Sequence, residues 1–253
     1  MCNNIASIQL LNCPIHAITM DETVKIIDNS IRRRKQIHHV VVNAAKLVKM
    51  KSDPSLRESV INCDIINADG QSLVWAAKLL GMHLPERVAG IDLMERLVML
   101  AYYKGYKIFF LGAKMDVVSA VVEKYAGEYD ASIIAGFRDG YFKKDEEAEV
   151  AKEIAASKAD ILFVAMSSPK KEIFLNEYKN VINTSFIMGV GGSFDVVSGK
   201  VKRAPLWMQK SGLEWFYRVV QEPKRMWKRY LITNTLFIAR VLNAVFKKKV
   251  GFS

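Results

Sequence analysis

Asp69 stands in Asn67-Ala68-Asp69-Gly70, directly after the short apolar run Ile65-Ile66. A turn between a strand and a helix would hold its carboxylate rigidly, and Gly70 would let another group approach closely. In that setting a carboxylate serves as a general base, accepting a proton from a substrate hydroxyl. Aspartate is also a preferred N-cap, here for a helix starting near Gln71, and spacing favours that role over the base. Both roles remain open.

Other segments with chemical potential sit in the same position, just after an apolar run. Asn43 follows Ile37–Val42, Gly112 follows Lys107–Leu111, and Gly136 follows Ala131–Ala135. Gly189-Val190-Gly191-Gly192-Ser193 follows Ser185–Met188. Its glycines could present successive backbone N–H groups to a phosphate, or simply form a tight turn. The run is not G-x-G-x-x-G and lacks the lysine of a P-loop. Ser167-Ser168-Pro169-Lys170-Lys171-Glu172 follows Asp160–Ala165, so Lys170 or Lys171 is placed to meet an anionic ligand. No D-x-D occurs, so a carboxylate pair holding Mg²⁺ against a diphosphate is not indicated. A diphosphate leaving group would have to be met by Arg, Lys and backbone N–H groups.

Those positions gain meaning from the elements that must carry them. The β-rich runs at 37–42, 107–111, 131–135, 160–165 and 185–188 alternate with helical patterns near 70–80, 90–104, 114–128, 145–157 and 169–180. Strands separated by helices imply βαβ units, hence a Rossmann-like α/β body with a mostly parallel sheet covered by helices on both faces. Ligands of such sheets bind outside the carboxyl ends of the strands, where the segments above fall. Runs near 7–11 and 15–18 suggest a hairpin, and Asp21 with Val24, Ile27 and Ile31 a capped helix.

The chain has 253 residues and a net charge of +11, and the charge is unevenly placed. Residues 200–253 hold 13 Lys/Arg against only Glu214 and Glu222, which accounts for the whole excess. That tail has no strand signal and reads as a basic, amphipathic, Trp-rich helical appendage, so the chain divides into a body over 1–199 and an appendage over 200–253. Cys2, Cys13 and Cys63 form no CxxC, and the four histidines have no metal-ligand spacing. Reduced thiols, no metal and no cofactor are expected. Neither a signal peptide nor a stretch of about 18 uncharged apolar residues is evident, which leads to the expectation of a cytoplasmic protein.

Read together, these segments resemble the WecG/TagA/CpsF glycosyltransferases. The resemblance rests on Asn67–Gly70, Trp75-Ala76-Ala77, Leu84–Leu93 (LPERVAGIDL), Phe110–Gly112, Gly136–Tyr141 (GFRDGY), Ser168–Glu172, Gly189–Asp195 and the tail from Arg203-Ala204-Pro205 through Gly212–Trp215 to Glu222-Pro223. It implies a metal-independent, inverting transferase moving an N-acetylmannosamine-type sugar from a UDP-sugar donor. The implied acceptor is a polyprenyl-diphosphate-linked sugar at the inner membrane face. Asp69 matches the proposed catalytic base and Arg87 an active-site arginine. Asn43 matches the asparagine after the early strand. Gly191, Gly192 and Asp195 fall in the motif near the nucleotide, and Arg218 matches a basic residue of an appendage that docks over the site. Val41 stands where many members have threonine, and Lys171 where glutamine is usual. A lost hydroxyl and a gained cation at the pocket edge would alter sugar recognition.

The tail suits an anionic membrane surface, with Trp207 and Trp215 expected to be the more buried and residues 224–249 to face the membrane. Self-association of the body as a homodimer fits the resemblance too. The rival from another class is a basic nucleic-acid-binding module, since basic residues interleaved with aromatics can track a phosphate backbone. No helix-turn-helix, RRM or KH signature supports it. An NAD-dependent oxidoreductase is disfavoured because no glycine fingerprint follows the first strand.

Overall fold

In a computed structural model, residues 5–250 are described, except for the side chains of Arg225 and Arg229; Cys2 and residues 251–253 lie outside the description. The chain opens with a hairpin, β1 (Ser7–Leu10) and β2 (Cys13–His16), and runs into α1 (Met20–Arg32). Thr19, not Asp21, caps α1, exchanging hydrogen bonds with Glu22 in a capping box. Then follow β3 (Ile37–Val42), α2 (Ala44–Met50), α3 (Pro54–Ile61), β4 (Ile65–Ala68), α4 (Gln71–Leu79) and α5 (Gly90–Lys104). The second half adds β5 (Ile108–Gly112), α6 (Met115–Glu128), β6 (Ile134–Arg138), α7 (Glu147–Ala156), β7 (Ile161–Ala165), α8 (Lys170–Ile182), β8 (Phe186–Gly189) and α9 (Ser193–Val197).

The six strands β4-β3-β8-β7-β5-β6 form one parallel sheet. Strands β3, β4, β5, β7 and β8 are buried along their whole length, as expected where helices cover both faces. Alternate side chains feed two cores: Ile37, Val41 and Ile65 on the face of α5 and α6, Val40, Val42 and Ile66 on the face of α2, α3 and α4. His38 and His39 are part of this interior, and burial lowers them to about 3 and about 4, so both rings are neutral.

Two sequence expectations shift. The strand expected at 131–135 begins at Ile134, because Asp130 accepts a hydrogen bond from Ser132 N–H and turns 131–133 into a 3₁₀ helix. Gly136 therefore lies inside β6 rather than after it. Helices α2 and α3 carry cap signals that the alternation of longer patterns obscures: Asn43 before the first, Asp53-Pro54 at the second.

After Gly199 the described chain is helical: α10 (Leu206–Lys210), α11 (Glu214–Gln221) and the 28-residue α12 (Pro223–Val250). Helix α12 lies along α2. Its Phe237 and Val241 are buried in the core that contains Leu47, Leu56 and Leu73. Arg240 donates to the carbonyls of Leu47 and Val48, and Lys248 to that of Leu80, so two tail cations satisfy the exposed carbonyls ending α2 and α4. The tryptophan expectation holds for Trp215, 39% exposed against 53% for Trp227, and is corrected for Trp207, which is 63% exposed. Short α10 buries Met208 and Gln209 instead, which turns Trp207 outward. Helix α12 is likewise only partly outward-facing. Because Phe237 belongs to the shared core, Phe237→Ala should cost about 3–5 kcal/mol in urea unfolding. A loss below about 0.5 kcal/mol would detach α12 from that core.

Candidate active site

Three neighbouring strands, β4, β3 and β8, bring Asp69, Asn43 and the glycine loop to one stretch of the sheet edge. Asp69 N–H donates to Val42 O at 2.7 Å, pinning the residue to the end of β3. The cap of α4 is Gly70, which has φ +126 and offers no side chain, so the Asp69 carboxylate is not used as a cap. Asn43 does cap a helix: its side-chain oxygen accepts from Lys46 N–H at 3.0 Å. Below Asp69, Asn67 Oδ1 meets His39 Nε2 at 2.8 Å inside the sheet.

Arg87 reaches the same place by a different route. Val88 N–H donates to Ala68 O at 2.8 Å, laying the 82–89 loop beside the end of β4. Gly90 closes the loop against the core, since a Cβ there would meet Val41 Cγ2 at 3.3 Å. That contact corrects the placement of Val41, which is buried under the loop rather than lining a pocket edge. Arg87 Nη1 pairs with Glu214 Oε2 at 2.5 Å, joining loop to tail. The tail comes close enough because residue 212 is glycine. It has φ +67, and a Cβ would meet Trp75 at 3.0 Å and Gln71 at 3.1 Å.

The result is a cluster of opposed charges. Burial pushes the Asp69 carboxyl up to about 6, reinforced by the Glu214 carboxylate, while Arg218, Arg87 and Lys46 pull it back down. A base near that value is ionised at neutral pH yet holds a proton far better than an ordinary aspartate. Glu214, which pairs with Arg87 in this cluster, had no role from the sequence; being one of only two acids in the +11 tail was its signal.

Gly192, Asp195, Val201, Arg218, Gln221, Glu222 and Met226 line a crevice of about 40 Å³ between the glycine loop and the tail. Gly191 has φ +55 and open space around it, and Gly192 precedes the first turn of α9. The other expected positions lie apart. Gly112 ends β5, four strands from β4, so about 19 Å along the sheet. Its φ of +123 and a would-be Cβ contact of 2.5 Å with Ala165 O show close packing on β7. Gly136 makes room for the Phe109 ring, which an added Cβ would meet at 2.8 Å. Lys170 donates to Phe142 O and sits 4.3 Å over the Phe142 ring.

Lys171 is not at the rim. It is 6% exposed, with its Nζ 2.6 Å from Glu172 Oε1 and its stem against Gly189. Glu172 also pairs with Lys46 at 2.8 Å, and Lys46 donates to Val41 O. Burial alone would raise the Glu172 carboxyl, but Lys46 and Lys171 hold it at about 2. A depressed carboxyl stabilises the fold above its ordinary 4.5, and that contribution is lost as pH falls through about 2. Urea unfolding across pH should show this acid loss in the native protein. Glu172→Gln should abolish it and cost about 3–5 kcal/mol at pH 7, the typical result of stripping a buried pair of one partner.

Comparison with known proteins follows the same residues. The model of the "Glycosyl transferase WecG/TagA/CpsF family" matches residues 8–251. The chain is 43% identical over 168 residues to an N-acetylglucosaminyldiphosphoundecaprenol N-acetyl-beta-D-mannosaminyltransferase of Bacillus subtilis (strain 168), covering 66% of this chain and 64% of that protein. It is 39% identical over 179 residues to the protein of the same name from Bacillus spizizenii, covering 71% of this chain and 68% of that one. The shared stretch thus spans about two thirds of each relative. With the match running from the hairpin to the end of α12, the chain belongs to the WecG/TagA/CpsF glycosyltransferase family.

Proposed function

We propose that this protein transfers an N-acetylmannosamine-type sugar from a UDP-sugar to a polyprenyl-diphosphate-linked sugar, with inversion and without a metal. The observation that carries the reading is the placement of Asp69 beside Arg87 at the β4 end, closed over by a tail bearing Arg218. The names of the two Bacillus relatives support the sugar and the lipid-linked acceptor.

The Asp69 carboxylate takes the proton of the acceptor hydroxyl as its oxygen attacks the anomeric carbon. The bond from that carbon to the UDP oxygen breaks on the opposite face, which inverts the configuration and leaves UDP. Arg87 and the backbone N–H groups of Gly191 and Gly192 offset the charge gathering on the diphosphate, and Arg218 of the tail lines the crevice beside Gly192. Asn43, at the start of α2, and Asp195, in α9, hold the substrate from either side.

The acceptor's lipid calls for a membrane surface. Among the described residues no helix is long and apolar enough to cross a membrane. Helix α12 instead exposes Trp227, Leu231, Ile238, Leu242 and Phe246 along the stripe away from the body, flanked by exposed Lys224, Lys228, Lys247 and Lys249. An apolar stripe with cationic flanks lies in a membrane interface, each basic residue adding about 1 kcal/mol on anionic lipid. We therefore place the protein peripherally on the inner membrane face.

Release of UDP from a panel of UDP-sugars, with a short-chain polyprenyl-diphosphate-GlcNAc acceptor and lipid, tests the activity; no release with any donor would overturn it. Asp69→Asn should lower turnover by roughly 10²–10⁴-fold, and native kcat/KM should fall about tenfold per pH unit below about 6, where the base is protonated. Near-native turnover by folded Asp69→Asn would remove Asp69 from the role. In co-sedimentation with phosphatidylglycerol vesicles, a Leu231→Ser/Leu242→Ser protein should bind at least about tenfold more weakly than native. Equal binding would mean that this stripe is not the anchor.

A further inference from the structure

The arginine assigned to the diphosphate already holds an anion. Arg87 Nη1 lies 2.5 Å from Glu214 Oε2, and the two side chains are only 15% and 30% exposed. The crevice lined by Arg218, on the same helix as Glu214, is about 40 Å³. Small-molecule sites typically offer about 300–1,000 Å³. A substrate diphosphate cannot reach Arg87 while Glu214 is bound to it, so one anion must replace the other.

The tail supplies a place for the displaced carboxylate. Arg218 follows Glu214 by four residues on α11, the spacing at which helical side chains meet. It lines the crevice, and its side chain makes no ion pair or hydrogen bond among the described residues. Gly212, wedged against Trp75 and Gln71, fixes where α11 starts, so Glu214 can change partner by rotating its side chain while the helix stays in place.

We propose that Glu214 is a place-holder carboxylate: it neutralises Arg87 in the empty enzyme, yields that seat to a substrate diphosphate, and then pairs with Arg218. The proposal rests on the reading of Arg87 as a diphosphate-binding residue. Glu214 thereby keeps a cationic site from sitting uncompensated at the seam of tail and body, and it makes occupancy of Arg87 specific for a group able to outcompete a carboxylate. A diphosphate does so through its higher charge and its several acceptor oxygens.

Both substrates of the proposed reaction carry a diphosphate, and calorimetric titration with UDP, farnesyl diphosphate and inorganic pyrophosphate separates them. Glu214→Gln removes the competing charge at constant shape and should tighten pyrophosphate, together with whichever of the other two uses Arg87, by about fivefold or more. Loss of a merely structural contact would weaken binding instead. The gain should vanish in the Arg87→Gln/Glu214→Gln protein. Glu214→Asp keeps the charge and should stay within about twofold of native. No tightening of any of the three ligands by Glu214→Gln, or an equal gain from Glu214→Asp, would overturn the proposal. The outcome is separable from the activity. Tighter pyrophosphate binding without UDP release from any donor would uphold the place-holder and count against the transferase reading.

Discussion

The Glu172 carboxylate is the charge around which the carboxyl-end edge of the sheet at β3, β8 and β7 is arranged. It is held between Lys46, from the helix after β3, and Lys171, from the helix after β7, so it ties those helices together across the strand between them. Ions this deeply buried persist only when the partner is in place. Lys46 in turn donates to Val41 O, and Asn43 caps the turn that carries Lys46, so the end of β3 is fixed from both sides. The stem of Lys171 fills the space over Gly189, where any side chain would collide. The glycine loop is therefore set by an ion cluster beneath it as much as by its own flexibility.

Above that base, the site is an arrangement of charges that do not cancel one another pairwise. Asp69 sits partly buried between a carboxylate that disfavours its ionisation and two arginines that favour it. Three of those four groups are brought together by tertiary contacts: Asp69 by Val42 O, Arg87 by the Val88–Ala68 hydrogen bond, Glu214 by the approach of the tail at Gly212. A carboxylate poised in this way gains basicity from burial first and from the Glu214 carboxylate second. The buried His38 and His39 belong to the interior of β3, neutral and away from the edge.

Much of this was legible in the chain because the signals were local. The β-rich runs, the glycines after them and the asymmetry of charge each report on residues adjacent in sequence. The α/β class and the position of Asp69 at a strand end followed from them. What was not legible depended on separation. Glu214 meets Arg87 across 127 residues, and no periodicity connects them. Lys171 reads as a cation at the pocket edge, yet it turns inward, where the Glu172 carboxylate shared with Lys46 compensates its burial. Trp207 departs from its expected burial for a related reason. Size suggests burial, but short α10 can bury only one face, and Met208 and Gln209 occupy it.

The caps on α2 and α4 have a consequence for how the chain is made. Arg240 satisfies carbonyls 193 and 192 residues earlier, and Lys248 one that is 168 residues earlier. At ordinary synthesis rates of about 5–20 residues per second, those helix ends leave the ribosome roughly 10–40 s before their partners exist. Throughout that interval the apolar surface destined for Phe237 and Val241 faces water or a chaperone. Helix α12, which also carries the apolar stripe, thus completes a half of the sheet made well before it. Completion of that half of the core and arrival of the helix with the exposed apolar stripe become a single event in the life of each molecule.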